Sequence, residues 1–440
     1  MFGLALPAFA QYAGPAILSR GEAPAAMTAP TVDFAFSVAL TANYTNGLVG
    51  VSTNTQGQLQ TTNAYGAGVT FGVSGAHSWR HTRLGLAYSG SFYEYPSASY
   101  FAGISQGIAL SLTHQFTRHI AFSLRESAGW FTQFPPATVS LNSAVSFDPS
   151  QSNIPTTDFY DNRTIYSTTQ AGLTLQASTR LSFDVGGGYF TDLRRSSALY
   201  SATGESGMGD VQYRLSRRTT IGGSYGFSHY GYTASIGGAN VNTATLGLST
   251  RFSRWTEFSF FGGASRVSSS FQQTVPISPA LLAILCPPSL VAVCPLTAAI
   301  VTNHNTSWAP NFGARLSRSF QRGVAYISAG ESITPGNGLF LTSRAQNVSG
   351  GYGYSGLRKW SLNIGGYYTR ALSLGNIQGG YSQISGAFGV SHQIVRQVSF
   401  VASFNATHYN SGSFSAYNRL IYTTSVGLGF SSKNIPVRFF

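Results

Sequence analysis

Phe34-Ala35-Phe36-Ser37-Val38-Ala39-Leu40-Thr41-Ala42-Asn43-Tyr44 decides the fold. Phe34, Phe36, Val38, Leu40, Ala42 and Tyr44 alternate with Ala35, Ser37, Ala39, Thr41 and Asn43. Successive side chains of a β-strand point to opposite faces, so an extended conformation gives this segment one apolar and one small or polar face. A helix would scatter the same residues around its axis and form no apolar stripe. The period of two therefore predicts a strand that meets hydrocarbon or a core on one side and water on the other.

The pattern recurs along the chain. Tyr65, Ala67, Val69, Phe71 and Val73 alternate with Gly66, Gly68, Thr70, Gly72 and Ser74. Leu246 and Leu248 oppose Thr245, Gly247 and Ser249, and Val398, Phe400, Ala402 and Phe404 oppose Ser399, Ser403 and Asn405. Eighteen such segments run from residues 31–44 to 417–430, with sixteen as the near alternative. Nearly all exceed the length that a tilted transmembrane strand needs. Tight turns carrying a basic residue, such as Arg80, Arg118, Arg180, Arg254, Arg322 and Arg396, follow every second segment. The remaining connections are longer, among them 45–61, 133–162, 269–304 and 335–344. Short turns on one side and long loops on the other are the asymmetry of a transmembrane barrel. The expected fold is an all-β, antiparallel, up-and-down transmembrane β-barrel of about eighteen strands.

Composition points the same way. Charged residues are 9% of the 440, against about a quarter in ordinary soluble domains. Aromatics reach 14% and there are 50 glycines, while the mean hydropathy lies near zero. A helical membrane protein gathers its apolar residues into spans of about twenty; a barrel interleaves them. The net charge is +13, and Lys359 and Lys433 are the only lysines. The arginines are scattered, with no basic run longer than a pair, which argues against nucleic-acid binding. Trp79, Trp255 and Trp360 sit beside short turns, and Trp130 and Trp308 at loop ends, so two membrane-interface girdles are expected.

Residues 1–10, ending Ala8-Phe9-Ala10, read as the remnant of a signal peptide, although the basic segment that should precede it is missing. Residues 11–30 then form a periplasmic leader, 31–431 the barrel and 432–440 a tail. Export implies an oxidising compartment. Cys286 and Cys294, in one apolar loop, are expected to form a disulfide.

Over residues 31–440 the chain resembles the porin-like outer-membrane β-barrel superfamily. Val426-Gly427-Leu428-Gly429-Phe430 and the terminal Val437-Arg438-Phe439-Phe440 are similar to the aromatic-ended strand that superfamily presents to the barrel-insertion machinery. Pro436 interrupts the last stretch. The resemblance implies an outer-membrane location, contact with outer-membrane lipids, passage of small hydrophilic solutes and assembly as a homotrimer.

The polar face is mostly Gly, Ser, Ala, Thr and Asn. Such side chains cannot fill a barrel this wide, which leaves an aqueous channel unless a segment plugs it. The charges expected on this pore-lining face are Arg83, Arg125, Asp184, Asp210, Arg214, Arg251, Glu257 and Arg315. Basic residues lead five to three, which favours mild anion selectivity; the alternative is that these groups pair and only brace the wall. Glu126 is aimed at lipid by strict alternation, unless a β-bulge returns it to the lumen. Residues 133–162, with Asp148, Asp158 and Asp161, form a candidate constriction loop or else a surface loop. Residues 269–304 form a candidate apolar cap or plug. His77, His81, His114, His119, His229, His304, His392 and His408 are spread over turns, strands and loops with no metal-ligand spacing, and chance pairings with the many serines make no case for a nucleophile and base at one rim. No catalytic residue, metal or cofactor is assigned. The expected function is a porin-like channel for passive diffusion; the alternative is a structural or surface-binding barrel, a scaffold, exopolysaccharide-associated or adhesin-like. The Cys286–Cys294 reading predicts no free thiol in exported protein, and two thiols titrating with a maleimide reagent would refute it.

Overall fold

The computed structural model describes residues 35–53, 59–97, 102–131, 163–195, 199–233, 236–276, 298–336, 338, 340–354, 356–374, 379–411 and 418–432. These form β1 (Ala35–Thr53), β2 (Leu59–Ser78), β3 (Thr82–Glu94), β4 (Gly103–Gln115), β5 (Ile120–Phe131), β6 (Thr164–Gln176), β7 (Leu181–Arg194), β8 (Ala202–Arg214) and β9 (Thr219–Tyr232). The second half continues with β10 (Gly237–Arg251), β11 (Thr256–Pro276), β12 (Ala298–Phe320), β13 (Gly323–Gly336), β14 (Leu341–Tyr354), β15 (Trp360–Ser373), β16 (Gly380–Val395), β17 (Val398–Ser411) and β18 (Arg419–Ser431). Each strand pairs antiparallel with its sequence neighbours, and β1 pairs with β18 from Ser37↔Ser431 to Asn46↔Tyr422, closing one 18-stranded sheet. Among the described residues no helix is long and apolar enough to cross a membrane; strands make the crossing.

The apolar rows ring the outside of this cylinder. Leu246 is 74% exposed, and Leu40, Val185, Ile364, Ile384 and Phe404 are exposed at matching positions. Large apolar side chains so placed in a closed cylinder are stable against hydrocarbon, not water. Aromatic and cationic groups gather where the wall meets the short turns. Trp79 packs edge-on to His77 at 4.4 Å and Trp360 against His392 at 4.3 Å. The Arg254 guanidinium lies 4.9 Å from the Trp255 ring centre, and Arg318 lies 5.2 Å from that of Phe320. Amphipathic rings beside guanidinium groups suit the headgroup level. The chain is a transmembrane β-barrel.

Two local expectations change, and a third point left open by the sequence is decided. First, the 45–61 and 269–304 connections are shorter than the sequence suggests. Pairing of β1 with β2 runs to Thr53↔Leu59 through register shifts, and pairing of β11 with β12 runs unbroken to Pro276↔Ala298. Above the membrane neither strand face need be apolar, so the ladder continues where the alternation stops. Second, Trp308 lies within β12, not at its end, for the same reason. Third, Glu126 has no bulge. Its pairs Leu110↔Glu126 and Glu126↔Thr169 belong to unshifted registers, which leaves it on the lipid face. Ser167 donates a hydrogen bond to one carboxylate oxygen at 3.1 Å and Thr169 donates to the other. Two hydroxyl donors offset part of the desolvation cost of a carboxyl within the apolar band. Residues 1–34, the 132–162 segment with Asp148, Asp158 and Asp161, and the 277–297 segment with Cys286 and Cys294 lie outside the described residues.

Leu248→Arg should lower barrel stability by about 2–4 kcal/mol, the cost of a lipid-face Arg near the midplane, whereas Ser249→Arg should cost far less. Urea unfolding in liposomes followed by gel mobility checks this.

Candidate functional site: the lumen and its hairpin-filled mouth

The register fixes which side chains enter the lumen. On β9, Ile221, Tyr225 and Phe227 are exposed to the outside, so Tyr230 and Tyr232 point in. The same reasoning places Arg83, Arg125, Asp184, Asp210, Arg214, Arg251, Glu257 and Arg315 on inward rows. Between the charges the inner wall is a ladder of hydroxyl pairs across strands: Ser224–Thr245 at 2.6 Å, Thr243–Ser265 at 2.8 Å, Ser328–Ser349 at 2.7 Å and Ser385–Thr407 at 2.7 Å.

The inward charges do not form one network. Arg251 meets Glu257, its register partner, at 3.7 Å, with both side chains nearly half exposed. Exposed pairs of this kind contribute only about 0–1 kcal/mol. Asp184 and Asp210 face each other in register. The Thr174 hydroxyl donates to Asp184, and the Gln212 amide donates to Asp210 at 3.4 Å. The Arg315 guanidinium lies 5.1 Å from the Tyr326 ring centre, and Arg214 Nε donates to the Ser216 carbonyl. Among the described residues, Arg251 is the one of the five inward arginines named above with a carboxylate within 4 Å.

Burial varies along the lumen. At mid-barrel and below, the inward side chains of Met208 (55%), Arg125, Asn363 and Tyr367 are exposed, whereas Ser182, Gln212, Ser259 and Val401, close to the short turns, are packed against the wall. Nearer the long loops, inward side chains are buried: Tyr93, Tyr95, Tyr166, Tyr232, Val267, Phe271 and Tyr381. Three of these tyrosines, Tyr93, Tyr95 and Tyr166, lie over glycines of the neighbouring strand. A Cβ on Gly68 would meet the Tyr93 ring at 2.4 Å, and one on Gly66 the Tyr95 ring at 2.5 Å. Glycine there lets the rings lie flat along the wall.

The β13–β14 hairpin accounts for much of this burial. β12 pairs with β13 only as far as Phe312↔Glu331, while β13 and β14 stay paired up to Gly336↔Leu341. The separation falls roughly nine residues above the short turn, about the length a transmembrane strand requires. Beyond it the hairpin enters the mouth. Gly336 and Gly338 adopt φ of 86° and 84°, which side-chain-bearing residues rarely take, and so make the tight tip. Phe340, Leu341 and Thr342 are fully buried. Leu341 packs with Tyr230, Tyr232, Val241, Val267 and Phe271, all inward residues of β9 to β11. Phe340 stacks on inward Tyr381 of β16 with ring centres 6.0 Å apart. The Tyr200 amide donates to the Gly338 carbonyl at 2.9 Å, and the Leu374 amide donates to the Thr342 carbonyl at 2.9 Å. A Cβ on Gly338 would lie 2.7 Å from Arg194, whose buried guanidinium pairs with Asp192.

Tyr232 is the main polar anchor of the tip. Its hydroxyl donates to the Pro335 carbonyl at 2.9 Å, accepts from the Thr342 amide at 2.8 Å, and lies 2.7 Å from the Thr342 hydroxyl. On the hairpin itself Glu331 is buried between Arg344, at 3.3 Å, and the Gln346 amide, at 2.7 Å. Arg419 adds a further inward cation beside Tyr409, 5.6 Å from its ring centre.

Sequence reasoning identified 335–344 as a connection but assigned it no role, and it missed Asp192, Arg194, Tyr232 and Arg419. The two glycines of the sequence Pro335-Gly336-Asn337-Gly338 were the available signal; nothing in a strand pattern says that a hairpin bends inward.

No family model and no curated protein matches the chain. Among solved structures it is similar to Pseudomonas aeruginosa OpdQ, with 10% identity, 91% of this chain and 97% of that one covered, and a TM-score of 0.40. It is similar to Acinetobacter baumannii OccAB4, with 10% identity, coverages of 91% and 98%, and a TM-score of 0.41. It is also similar to the copper transporter OprC, with 9% identity, coverages of 92% and 68%, and a TM-score of 0.44. The eighteen-strand closure rests on the strand pairing itself.

Tyr232→Phe removes one donor and one acceptor from the tip and leaves the Thr342 amide and Pro335 carbonyl short of a partner, at a cost of about 1–3 kcal/mol to the inserted hairpin. Amide hydrogen exchange at residues 338–343 should speed up while exchange in the transmembrane strands stays unchanged; unaltered exchange at the tip would contradict the anchoring role.

Proposed function

We propose that the chain is an outer-membrane channel for passive diffusion of small hydrophilic solutes, narrowed at its outer mouth by the β13–β14 hairpin. One observation carries this reading: Met208, Arg125 and Tyr367 stand exposed on inward rows at mid-barrel, while the inward side chains around the hairpin tip are buried. A wide, hydroxyl-lined vestibule would lead from the short-turn side to a constriction that selects by size. Arg83, Arg125, Arg214 and Arg315, lacking a carboxylate within reach among the described residues, would bias passage mildly toward anions. Arg125 stands exposed on the inward row and is the first of these to test.

The second reading is a structural or surface-binding barrel. It draws on the paired β11–β12 hairpin, which extends to Pro276↔Ala298 beyond the membrane-spanning part and would offer a surface to a partner. Planar-bilayer recording separates the two. The channel reading expects steady small conductance steps from the folded protein. It expects larger steps when the tip residues 336–341 are replaced by a two-residue turn, and a reversal potential moved toward cations in Arg125→Ala. Absence of steps from both the folded wild type and the shortened variant would favour the scaffold.

A further inference from the structure

The outward rows of β9 to β12 change character at one level. On β9 they run Ile221, Tyr225 and Phe227 and then reach His229. On β10, Leu248, Leu246 and Ala244 give way to Asn242 and Asn240. On β11, Phe260 and Ala264 give way to Arg266, Ser268 and Ser270, and on β12, Phe312 and Trp308 give way to Thr306 and His304. The outer edge of the hydrocarbon band therefore crosses these strands just below His229, Asn240 and Ser268. Trp308, 71% exposed, and Arg266 are register partners at that edge.

Directly above it the outer wall carries an open hollow of about 350 Å³, lined by His229, Asn240, Ser268, Ser270 and His304 together with glycine backbone. His229 Nδ1 and Asn240 Oδ1 are 2.7 Å apart, which fixes the imidazole at one end. His304 pairs in register with Ser270 and stands at the other end. Three strand spacings of about 4.8 Å and a two-residue offset put the two histidine Cα atoms roughly 15 Å apart. That is too far to share one metal ion and about right to bracket a sugar ring with its substituents. The lining is rich in neutral hydroxyl, amide and imidazole groups, suited to sugar hydroxyls. Two charged side chains flank it: exposed Arg266, two residues below Ser268 on the same outward row, suits a phosphate and can bind it bidentately, while exposed Glu205, the register partner of His229, stands at the other end, where a carboxylate can accept from sugar hydroxyls.

We propose that this hollow binds the phosphorylated sugar headgroup of an outer-leaflet glycolipid, whose acyl chains lie along the outward rows of β10 to β12 below. The side of the barrel is the argument for a lipid source. The hollow opens outward, away from the lumen, at the height where a headgroup lies, with Trp308 and Arg266 at the boundary. The inference is independent of whether the lumen conducts.

The test uses the folded barrel in detergent, with purified lipid A as the probe and co-purification read by native mass spectrometry. Lipid A should remain bound through detergent exchange to the wild type, and retention should fall about tenfold in Arg266→Ala and in the double variant Asn240→Ala/His304→Ala. Glucosamine 6-phosphate, the soluble arm, should bind far more weakly, because it lacks the acyl chains. Phosphatidylglycerol should not displace lipid A at equal concentration. All substituted residues are exposed, and heat-dependent gel mobility verifies that each variant is folded. Equal retention of lipid A by folded wild type and variants, equal binding of phosphatidylglycerol, or equal binding of the soluble sugar phosphate would each overturn the proposal.

Discussion

Backbone pairing inside hydrocarbon is the constraint from which the rest follows. A lipid interior offers no water to an unpaired amide or carbonyl, so a sheet crossing it must have no free edge. The β1–β18 ladder from Ser37 to Asn46 supplies that closure. Once the sheet is a cylinder, the two-residue period of a strand becomes inside against outside. Leu246, Leu248 and Phe404 go to lipid, while Thr245, Ser403 and their neighbours go to the lumen. The low charge content follows as well, since half of every transmembrane strand must tolerate hydrocarbon. Glu126 is a carboxylate on the outward row in mid-strand, and it carries its own hydroxyl donors in Ser167 and Thr169.

The same constraint explains where the wall is allowed to open. β12 and β13 part after Phe312↔Glu331, roughly nine residues above the short turn and close to the outer end of the apolar rows. The parted hairpin brings its apolar tip, Phe340 and Leu341, to the inward aromatics of β9, β11 and β16. Burial of those side chains favours insertion. The polar groups that travel with them are met by Tyr232, by the Tyr200 and Leu374 amides, and by the Arg194–Asp192 pair beside Gly338. The mouth is thus filled by a segment of the wall itself.

Much of the fold was legible in the sequence because its signal is local. Alternation in Phe34–Tyr44 needs only the residues present, and the count of eighteen strands with their antiparallel order follows from summing such segments. Strand ends were less legible. The alternation reports contact with hydrocarbon, not hydrogen bonding, so the ladders of β1–β2 and β11–β12 outran it into water. The mouth was hardest. That the Pro335–Thr342 tip turns inward depends on Tyr232, Tyr381 and Phe271, which lie tens to more than a hundred residues distant from it, a relation that no window of sequence contains. The outer hollow shows the same limit: His229, Asn240, Ser268 and His304 come together only through the registers of four strands.

Spin labels placed one at a time at Thr245, Leu246, Gly247, Leu248 and Ser249 of β10, in protein reconstituted into liposomes, test the account most directly. Accessibility to oxygen reports hydrocarbon, and accessibility to a nickel chelate reports water. The two should alternate with a period of two, with oxygen dominant at Leu246 and Leu248 and the chelate dominant at Thr245, Gly247 and Ser249. Equal profiles at neighbouring positions, or the opposite phase, would contradict the assignment of the two faces.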